Sequence, residues 1–307
     1  MGTTSTTAAV WRMLAQRWRK TIKAKNLSAN TERAYLYTAE RWAGWLEDEQ
    51  LDIEPNDVKP HHVDDFIADI IEATSAANGA HHYRNLRVFF GWLVKCDEMT
   101  SNPMDKTEPP NVEEKITPLL SDEEHKDVLS VCDGRDFASR RDKAIILLFI
   151  DTGIRVSEMA SLGKDDVDLK VRQFQLRGKG GKVRIVGFGN AAGLALARYL
   201  KEREKHPGAS SSALWLSSRR ERALATDGIK GMLNRRGKQA GVSGSLHAHR
   251  FRHDFSHRWQ DAGGSEHGLM MIAGWSSTKM PRHYGKQAAA LRALKEQARL
   301  GIADHIA

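Results

Sequence analysis

Residues 144–158 read AIILLFIDTGIRVSE, and the architecture of the chain is most easily worked out from this segment. Its first seven residues are all apolar, which indicates a helix that is buried on every side. The run is far shorter than the ~20 apolar residues that cross a membrane. Thr152-Gly153 ends the helix, because glycine is typical of the position just past a helix C-terminus. Three polar side chains then follow on the next turn: Arg155, Ser157 and Glu158.

Downstream of this helix the periodicity changes. Residues 171–187 alternate between apolar and polar on both sides of a glycine-rich tetrapeptide, residues 178–181. This alternation predicts two antiparallel strands joined as a β-hairpin with a basic tip. From Ala191 onwards the pattern is helical again, with breaks near 207–212 and 241–244. The second part of the chain is therefore predicted to be mostly helical, with one small antiparallel sheet.

The first part of the chain shows only helical patterns. Apolar and aromatic residues recur there at helical spacing in two stripes, Tyr35, Thr38, Trp42 and Trp45, then Leu86, Phe89, Phe90 and Leu93. We interpret both stripes as core. Closer to the apolar run, residues 121–124 (Ser-Asp-Glu-Glu) fit a capping box that opens a helix. The two stripes predict a small helical bundle before residue 105.

A boundary between two domains is predicted where every apolar period is broken. Asn102-Pro103, Pro109-Pro110 and Glu113-Glu114 lie close together there, as is typical of an exposed linker. We therefore expect a helical domain over 1–104, a linker over 105–117 and a second domain over 118–307. The expected fold class is mainly α with a small antiparallel β-sheet, in two domains.

Basic residues are segregated along the chain. The formal net charge is +8. Residues 117–307 hold 33 basic and 21 acidic residues, a net +12, whereas 1–116 is net −4. Within the first domain, 1–41 is nevertheless net +6. Two segments, Lys170 to Lys201 and Gly228 to His253, contain no acidic residue. Such segregation favours a polyanionic partner such as a nucleic acid.

Several classes of protein are disfavoured by the composition. The N-terminal residues have no apolar core followed by a cleavage site, so they are not typical of a signal peptide. Two cysteines, Cys96 and Cys132, are too few for a disulfide framework or a CxxC metal site. We expect a cytoplasmic protein that does not contact a membrane.

Six polar side chains supply complementary chemistry. They are Arg155, Lys179, His249, Arg252, Trp275 and Tyr284. Two guanidinium groups can hold both non-bridging oxygens of a phosphodiester and neutralise the charge that develops at phosphorus. A phenol can attack phosphorus and form a covalent ester, and an ammonium group can protonate the departing alkoxide. This set suits phosphoryl transfer without a metal ion or another cofactor.

The order and spacing of these residues resemble the tyrosine recombinase (phage integrase) family. That family has an arginine in T-G-x-R-x-S-E, here residues 152–158, and a hairpin lysine in G-K-G-x-K, here 178–182. It also has H-x-x-R-H, here 249–253, then a tryptophan or histidine after glycine, here Trp275, and a tyrosine nine residues later, here Tyr284. The resemblance covers roughly residues 15–300, and LSANTERAY (27–35) extends it into the first domain.

The resemblance implies a site-specific DNA recombinase of the kind carried by phages and other mobile elements. A SAM-like core-binding domain and a catalytic domain would form a C-shaped clamp on duplex DNA. Tyr284 would attack the scissile phosphate and give a 3′-phosphotyrosine, with Arg155, Lys179, His249, Arg252 and Trp275 completing the catalytic set. Strand exchange would pass through a Holliday junction within a homotetramer on specific DNA sites.

Supporting roles are assigned to further residues. The resemblance implies that Glu158 orients Arg155 and that His253 orders the site. Lys182 competes with Lys179 for the role of general acid, and we favour Lys179 because the family's lysine is the first of the motif. Candidate contacts to DNA are basic residues in the acid-poor segments: Arg17, Lys20, Lys23, Lys25, Lys182, Arg184, Arg235 and Arg236.

The same residues allow other interpretations. His249, His253 and His257 recur at i, i+4 and i+8 and would share a helical face as metal ligands do, yet they do not form an HExxH motif with its glutamate base. Arg155 could simply pair with Glu158 on one helical face. At the level of function, a DNA-binding regulator and a type IB topoisomerase remain open.

The C-terminal segment gives a weaker signal. Residues 287–302 are predicted to form a short helix with Leu291, Leu294 and Ala298 on one face. That face could pack on its own domain. The family resemblance favours docking of this helix in a neighbouring subunit.

Overall fold

The computed structural model describes residues 6–113, 118–177, 183–218, 221–275 and 296–301. The chain divides into two compact units, Met1–Lys115 and Ile116–Ala307. Within the described residues, the first unit is helical and the second combines helices with one small sheet. This is the fold class expected from the sequence. No helix in the described part of the chain has the length and apolar character needed to cross a membrane.

The first unit is a bundle of four long helices. They are α1 (Thr6–Ala24), α2 (Ala29–Asp48), α3 (Pro60–Ala73) and α4 (Ala76–Lys95), with 3₁₀ turns at Pro55–Asp57 and Pro103–Lys106. Ser28 begins α2, since its side chain accepts a hydrogen bond from the Thr31 N–H. The stripe predicted on α4 is fully buried, as are Trp11 and Trp42. Aromatic packing between α1, α2 and α4 therefore forms this core.

A polar cluster lies inside that aromatic core. His82 Nδ1 and the Thr38 hydroxyl are 3.0 Å apart, and the Asn85 amide donates to the same hydroxyl at 3.0 Å. Burial, with the positive charges of Arg41 and His81, lowers the pKa of His82 to about 4. The imidazole is therefore neutral at pH 7, and the cluster fixes the contact of α2 with α4.

The second unit is built around α6. Its helices are α5 (Asp122–Ser130), α6 (Phe137–Thr152), α7 (Val156–Ser161), α8 (Asn190–Arg203), α9 (Thr226–Gln239), α10 (Ala248–Asp261) and α11 (Glu266–Ala273). The core-facing side chains of α6 are fully buried, and α6 packs against α8 and α10. The capping box predicted at 121–124 is confirmed, because the Ser121 side chain accepts from the Glu124 N–H and Glu124 accepts in return.

The sheet contains the two strands of the predicted hairpin, whose tip at 178–182 lies outside the described residues, and one additional strand. Strands β1 (Val167–Asp168), β2 (Gln173–Arg177) and β3 (Val183–Gly187) pair antiparallel in the order β1-β2-β3. The two residues of β1 are too few to produce a periodicity, so the sequence did not indicate them. Phe174 lies opposite Val186 and both are buried, whereas Val183 and Ile185 are exposed. Arg184 therefore shares the inward face of β3 with Val186.

The irregular segment between α8 and α9 is longer than the break predicted near 207–212. Its described residues are 204–218 and 221–225. The buried Arg203 guanidinium donates hydrogen bonds to four carbonyl oxygens of this segment, those of Ala209, Ser211, Ala213 and Leu214. The Arg203 side chain thus supplies these four carbonyls with the hydrogen bonds that they would otherwise obtain in a helix or a strand.

Of the C-terminal helix predicted over 287–302, the structure describes only the end. Residues 296–300 are helical and all five are exposed. Leu291 and Leu294 lie outside the described residues.

Candidate active site

Arg155 lies where α6 turns into α7. It occupies the position before the first residue of α7, and its backbone N–H donates to Glu158 Oε2 at 2.9 Å. Its Nη1 donates to Glu158 Oε1 at 3.1 Å. The predicted i, i+3 pair is therefore present, but the Arg155 side chain is still 43% exposed. The guanidinium is held at the surface of the unit, within reach of a ligand.

Arg252 is held far more tightly. It lies on α10 and is only 5% exposed. Its Nη1 donates to the Gly153 carbonyl and its Nη2 to the Ala273 carbonyl, both at 2.8 Å. The guanidinium also lies over the Trp275 ring, 4.8 Å from the ring centroid. The two hydrogen bonds and the Trp275 ring together fix the plane of the guanidinium.

Three arginines converge on the C-terminal end of α11. Arg155 and Arg252 both donate to the Ala273 carbonyl, and Arg184 donates to the Ile272 carbonyl. Arg155 also contacts the Gly274 carbonyl at 3.4 Å. The last carbonyls of a helix have no intrahelical partner and carry its negative partial charge, so they attract cations. The end of α11 thereby gathers three guanidinium groups that are distant in sequence.

Two glycines in left-handed conformation make this arrangement possible. Gly153 ends α6 with φ 54° and Gly274 ends α11 with φ 64°. A Cβ on Gly153 would lie 2.6 Å from the Phe255 ring, and one on Gly274 would lie 3.0 Å from Arg184 Cζ. Glycine is therefore required at both positions for its φ and for space. Each glycine carbonyl accepts a hydrogen bond from one of the two candidate catalytic arginines.

Glu158 connects Arg155 to Arg184. Arg184 donates to both Glu158 oxygens at 2.9 Å, and its side chain is 16% exposed. Burial alone would raise the pKa of Glu158, but the hydrogen bonds from Arg184 and from the Arg155 backbone, together with both positive charges, lower the pKa of this carboxyl. Glu158 is therefore ionised at neutral pH. It holds two guanidinium groups at once.

Two of the predicted DNA contacts, Arg184 and Arg236, have partners within the second unit. Arg184 points inward, and its Nε, Nη1 and Nη2 all donate within the unit. Arg236 donates to Asp142 Oδ2 at 3.0 Å and to the Val131 carbonyl at 2.9 Å, with a side chain 12% exposed. Their charges are compensated by carboxylates and carbonyls of the same unit, so these arginines serve its internal structure.

The other basic candidates are more accessible. Lys20, Lys23 and Lys25 are exposed near the end of α1, while Arg17 pairs with Glu98. Arg235 is exposed and lies 3.5 Å from the Asp142 carboxylate.

The remaining site residues divide into described and undescribed ones. His249 is exposed on the first turn of α10, three residues before Arg252 and thus on a neighbouring position of the helix surface. His253 is half-buried, with its ring centroid 4.6 Å from that of His257. Trp275 is buried beside Arg252. Lys179, Lys182 and Tyr284 lie outside the described residues.

Among the described residues, no three His, Cys, Asp or Glu side chains are arranged to hold a metal ion. What the site does present is a group of cations around an ionised carboxylate. Two guanidinium groups and one indole next to each other can bind an anion with several oxygens, such as a phosphate group. Arg184 is a charged residue on the inward face of a strand. That position was the one sequence signal that could have placed Arg184 in the site.

Comparisons with known proteins agree on one family. The model of the Phage integrase family matches residues 118–290, and that of the Phage integrase N-terminal SAM-like domain matches 14–98. The tyrosine recombinase XerC of Syntrophus aciditrophicus is 27% identical over 277 residues, covering 85% of this chain and 88% of the relative. The tyrosine recombinase XerD of Listeria innocua is 26% identical over 272 residues, covering 86% of this chain and 91% of the relative.

Solved structures show the same fold. The XerH site-specific recombinase bound to palindromic difH substrate has a TM-score of 0.74 and 20% identity, over 93% of this chain and 84% of that one. The Tn1549 transposon integrase in complex with transposon right end DNA has a TM-score of 0.71 and 24% identity, over 94% of this chain and 99% of that one.

Proposed function

The chain belongs to the phage integrase family, and from that premise we propose that it is a site-specific recombinase whose nucleophile is Tyr284. Tyrosine recombinases break and rejoin DNA strands. The observation that carries the proposal is the convergence of Arg155 and Arg252 on the end of α11. This convergence gives two forked donors fixed by carbonyls of the same helix end, which is the arrangement that a phosphodiester requires.

The chemistry follows from the groups at the site. The Tyr284 oxygen attacks phosphorus, a new P–O bond forms to tyrosine, and the bond from phosphorus to the 5′ oxygen breaks. Arg155 and Arg252 bind the non-bridging oxygens, where negative charge increases in the transition state. Lys179 protonates the departing 5′ oxygen. His249 and the Trp275 indole N–H donate to the phosphate oxygens.

The second step reverses the first with a different strand. The 5′ hydroxyl of a partner strand attacks the phosphotyrosine, a P–O bond to DNA forms, and the tyrosine oxygen departs. One phosphate ester replaces another in each step, so the reaction requires no ATP, and the guanidinium and ammonium groups supply the positive charge that a metal ion would otherwise provide. Two such exchanges, with a Holliday junction between them, recombine two duplexes.

DNA binding is shared between the two parts of the chain. We assign core binding to residues 1–104, linking to 105–117 and catalysis to 118–307. Exposed cations support backbone contacts by Lys20, Lys23, Lys25 and Arg235. The relatives crystallised with DNA support duplex DNA as the partner. Affinity should fall steeply with salt, because each phosphate contact releases a condensed counterion.

Four subunits act together on two duplexes, since each duplex is cut on both strands. Helix exchange through the C-terminal segment would connect them. Supporting this, residues 296–300 are all exposed in the single chain, including Leu300. An apolar side chain on an exposed helix end is available for a neighbouring subunit.

Substitution of Tyr284 tests the proposal. We expect Tyr284→Phe to bind a DNA site with unchanged affinity but to form no covalent complex that resists denaturant, because phenylalanine has no oxygen to attack phosphorus. The matched control is Tyr37→Phe, which removes a phenol that is 57% exposed on the first unit. Denaturing gels of labelled DNA measure the complex. Covalent trapping by Tyr284→Phe would assign the nucleophile to another residue.

A further inference from the structure

The Arg184 side chain joins three elements of the second unit. It starts from β3, donates to both oxygens of Glu158 on α7 at 2.9 Å, and donates to the Ile272 carbonyl on α11 at 2.9 Å. A bidentate arginine–carboxylate pair fixes the plane of the carboxylate as well as its position. Glu158 is thus held by a residue outside its own helix, which restricts its rotamers.

Arg155 depends on that carboxylate for its orientation. Its contacts to the end of α11 are long, 3.3 and 3.4 Å, and its side chain is largely exposed. Its contacts to Glu158 are shorter, 2.9 Å from the backbone N–H and 3.1 Å from Nη1. Glu158 Oε1 accepts from both Arg155 Nη1 and Arg184 Nη1. Without Arg184, the Glu158 carboxylate would keep only its contacts to Arg155 itself, so its orientation would be less well defined.

We propose that Arg184 is a positioning residue for strand cleavage, which acts by locking Glu158 and through it the Arg155 guanidinium. Arg252 has no need of such help, because two carbonyls at 2.8 Å already hold it. The inference rests on the proposed function and adds a residue to its machinery. It also explains why an arginine points inward on β3, where an apolar side chain would be expected beside Val186.

The alternative is that Arg184 contacts a DNA phosphate directly. Three of its nitrogens already donate within the unit, and its charge is balanced by Glu158. A phosphate contact would therefore require breaking a partly buried ion pair, which is strongly unfavourable. The two roles predict different measurements, because a phosphate contact affects affinity and a positioning residue affects the rate on bound DNA.

The experiment compares Arg184→Gln with a matched control, Arg140→Gln. Arg140 pairs with Glu202 at 3.4 Å and is similarly shielded, but it lies on α6 thirteen residues before Gly153, about 20 Å along the helix. Single-turnover formation of the covalent complex is measured at saturating DNA, with affinity measured over a range of salt. We expect Arg184→Gln to cleave up to about 100-fold more slowly, with affinity and salt dependence unchanged. Arg140→Gln should cleave at the wild-type rate.

A double-variant cycle separates positioning from a general loss of structure. Because Arg184 acts through Arg155, adding Arg184→Gln to Arg155→Lys should change the residual cleavage rate by less than about twofold. A purely structural effect would multiply the two losses. Arg184→Gln leaves the negative charge of Glu158 without its Arg184 partner. The double variant Glu158→Gln/Arg184→Gln removes that charge and is measured as well. It should fold and still cleave slowly.

The pH profile gives an independent readout. The charged groups that face Glu158 in the described residues are Arg155 on α7 and Arg184 on β3. With Arg184 removed, its hydrogen bonds and its positive charge no longer lower the pKa of Glu158, so that pKa rises and protonation releases Arg155 at a higher pH. The acid limb of the cleavage profile should therefore move to higher pH in Arg184→Gln. In Glu158→Gln/Arg184→Gln this shift should be absent.

The outcomes are distinct. Wild-type cleavage by Arg184→Gln, or weaker DNA affinity with a salt slope reduced by about one, would overturn the positioning role and leave the proposed function intact. Multiplicative losses in the double-variant cycle would also overturn it. Absence of a covalent complex from the wild-type protein and from Arg140→Gln would overturn the proposed function itself.

Discussion

At the scale of single residues, the two candidate catalytic arginines are held in different ways. Arg252 is buried, hydrogen-bonded to two carbonyls and stacked on Trp275, whereas Arg155 is exposed and anchored through Glu158. In the proposed phosphate site, Arg252 would therefore be the rigid side and Arg155 the adjustable side. A rigid donor loses little entropy when it binds the transition state.

Arg252→Lys tests the rigid side. We expect cleavage at saturating DNA to fall roughly 10²- to 10³-fold, because an ammonium cannot donate as a planar fork to two carbonyls and a phosphate at once. DNA affinity should change little. Single-turnover cleavage measures the effect, with Arg198→Lys on the exposed face of α8 as the control. Near-normal cleavage by Arg252→Lys would contradict the role given to Arg252.

At the scale of elements, the site is made from helix ends. Helices α6 and α11 both finish in a left-handed glycine, and the carbonyls at their ends accept hydrogen bonds from Arg155 just before α7, Arg252 on α10 and Arg184 on β3. The glycines allow the chain to turn sharply enough for Arg155 and Trp275 to follow directly. The ends of helices therefore determine where the cations lie, and the helix interiors provide the buried support.

Two glycine substitutions with opposite expected effects test this account. Gly153→Ala should lower the free energy of unfolding by about 1–3 kcal/mol, because alanine strains the left-handed φ and its Cβ overlaps the Phe255 ring. Gly231→Ala lies on the exposed side of α9 with nothing within 4 Å, and it should raise stability by about 0.5–1 kcal/mol. Urea unfolding followed by circular dichroism measures both. Equal effects would mean that Gly153 is not specifically required.

At the scale of the whole molecule, the relevant properties are the distribution of basic residues along the chain and the assembly of subunits. The second part of the chain is strongly basic, and the first part has its excess of basic residues in 1–41. Each of the two compact units has its own hydrophobic core. Each part thus has the means to fold around its core and to attract DNA.

Deletion of residues 288–307 tests whether the C-terminal segment connects subunits. We expect the truncated protein to bind a single site normally but to form no four-subunit complex on paired sites, because the docking helix is missing. Gel shift and light scattering measure assembly, and thermal unfolding is the control for folding. A lower melting temperature with poor binding would show that the segment packs on its own unit. Normal recombination by the truncation would contradict both accounts.

The sequence by itself determined several local features, those that depend on residues close together in the chain. The end of α6 at Gly153, the capping box at 121–124 and the pairing of β2 with β3 each follow from a few consecutive residues. The motif spacings identified the family for the same reason, since they combine short segments in a fixed order. The roles of Lys179, His249 and Tyr284 stay predictions.

Only the tertiary structure decided which charged groups meet. Arg184 and Glu158 are 26 residues apart, Arg236 and Asp142 are 94 apart, and Arg252 reaches a carbonyl 99 residues earlier. In sequence, all of these arginines are equally basic, so Arg184 and Arg236 were predicted to contact DNA. Burial and partners separate them, because a guanidinium that packing brings next to a carboxylate is neutralised there. Packing of helices far apart in the chain sets those distances, and no local pattern records them.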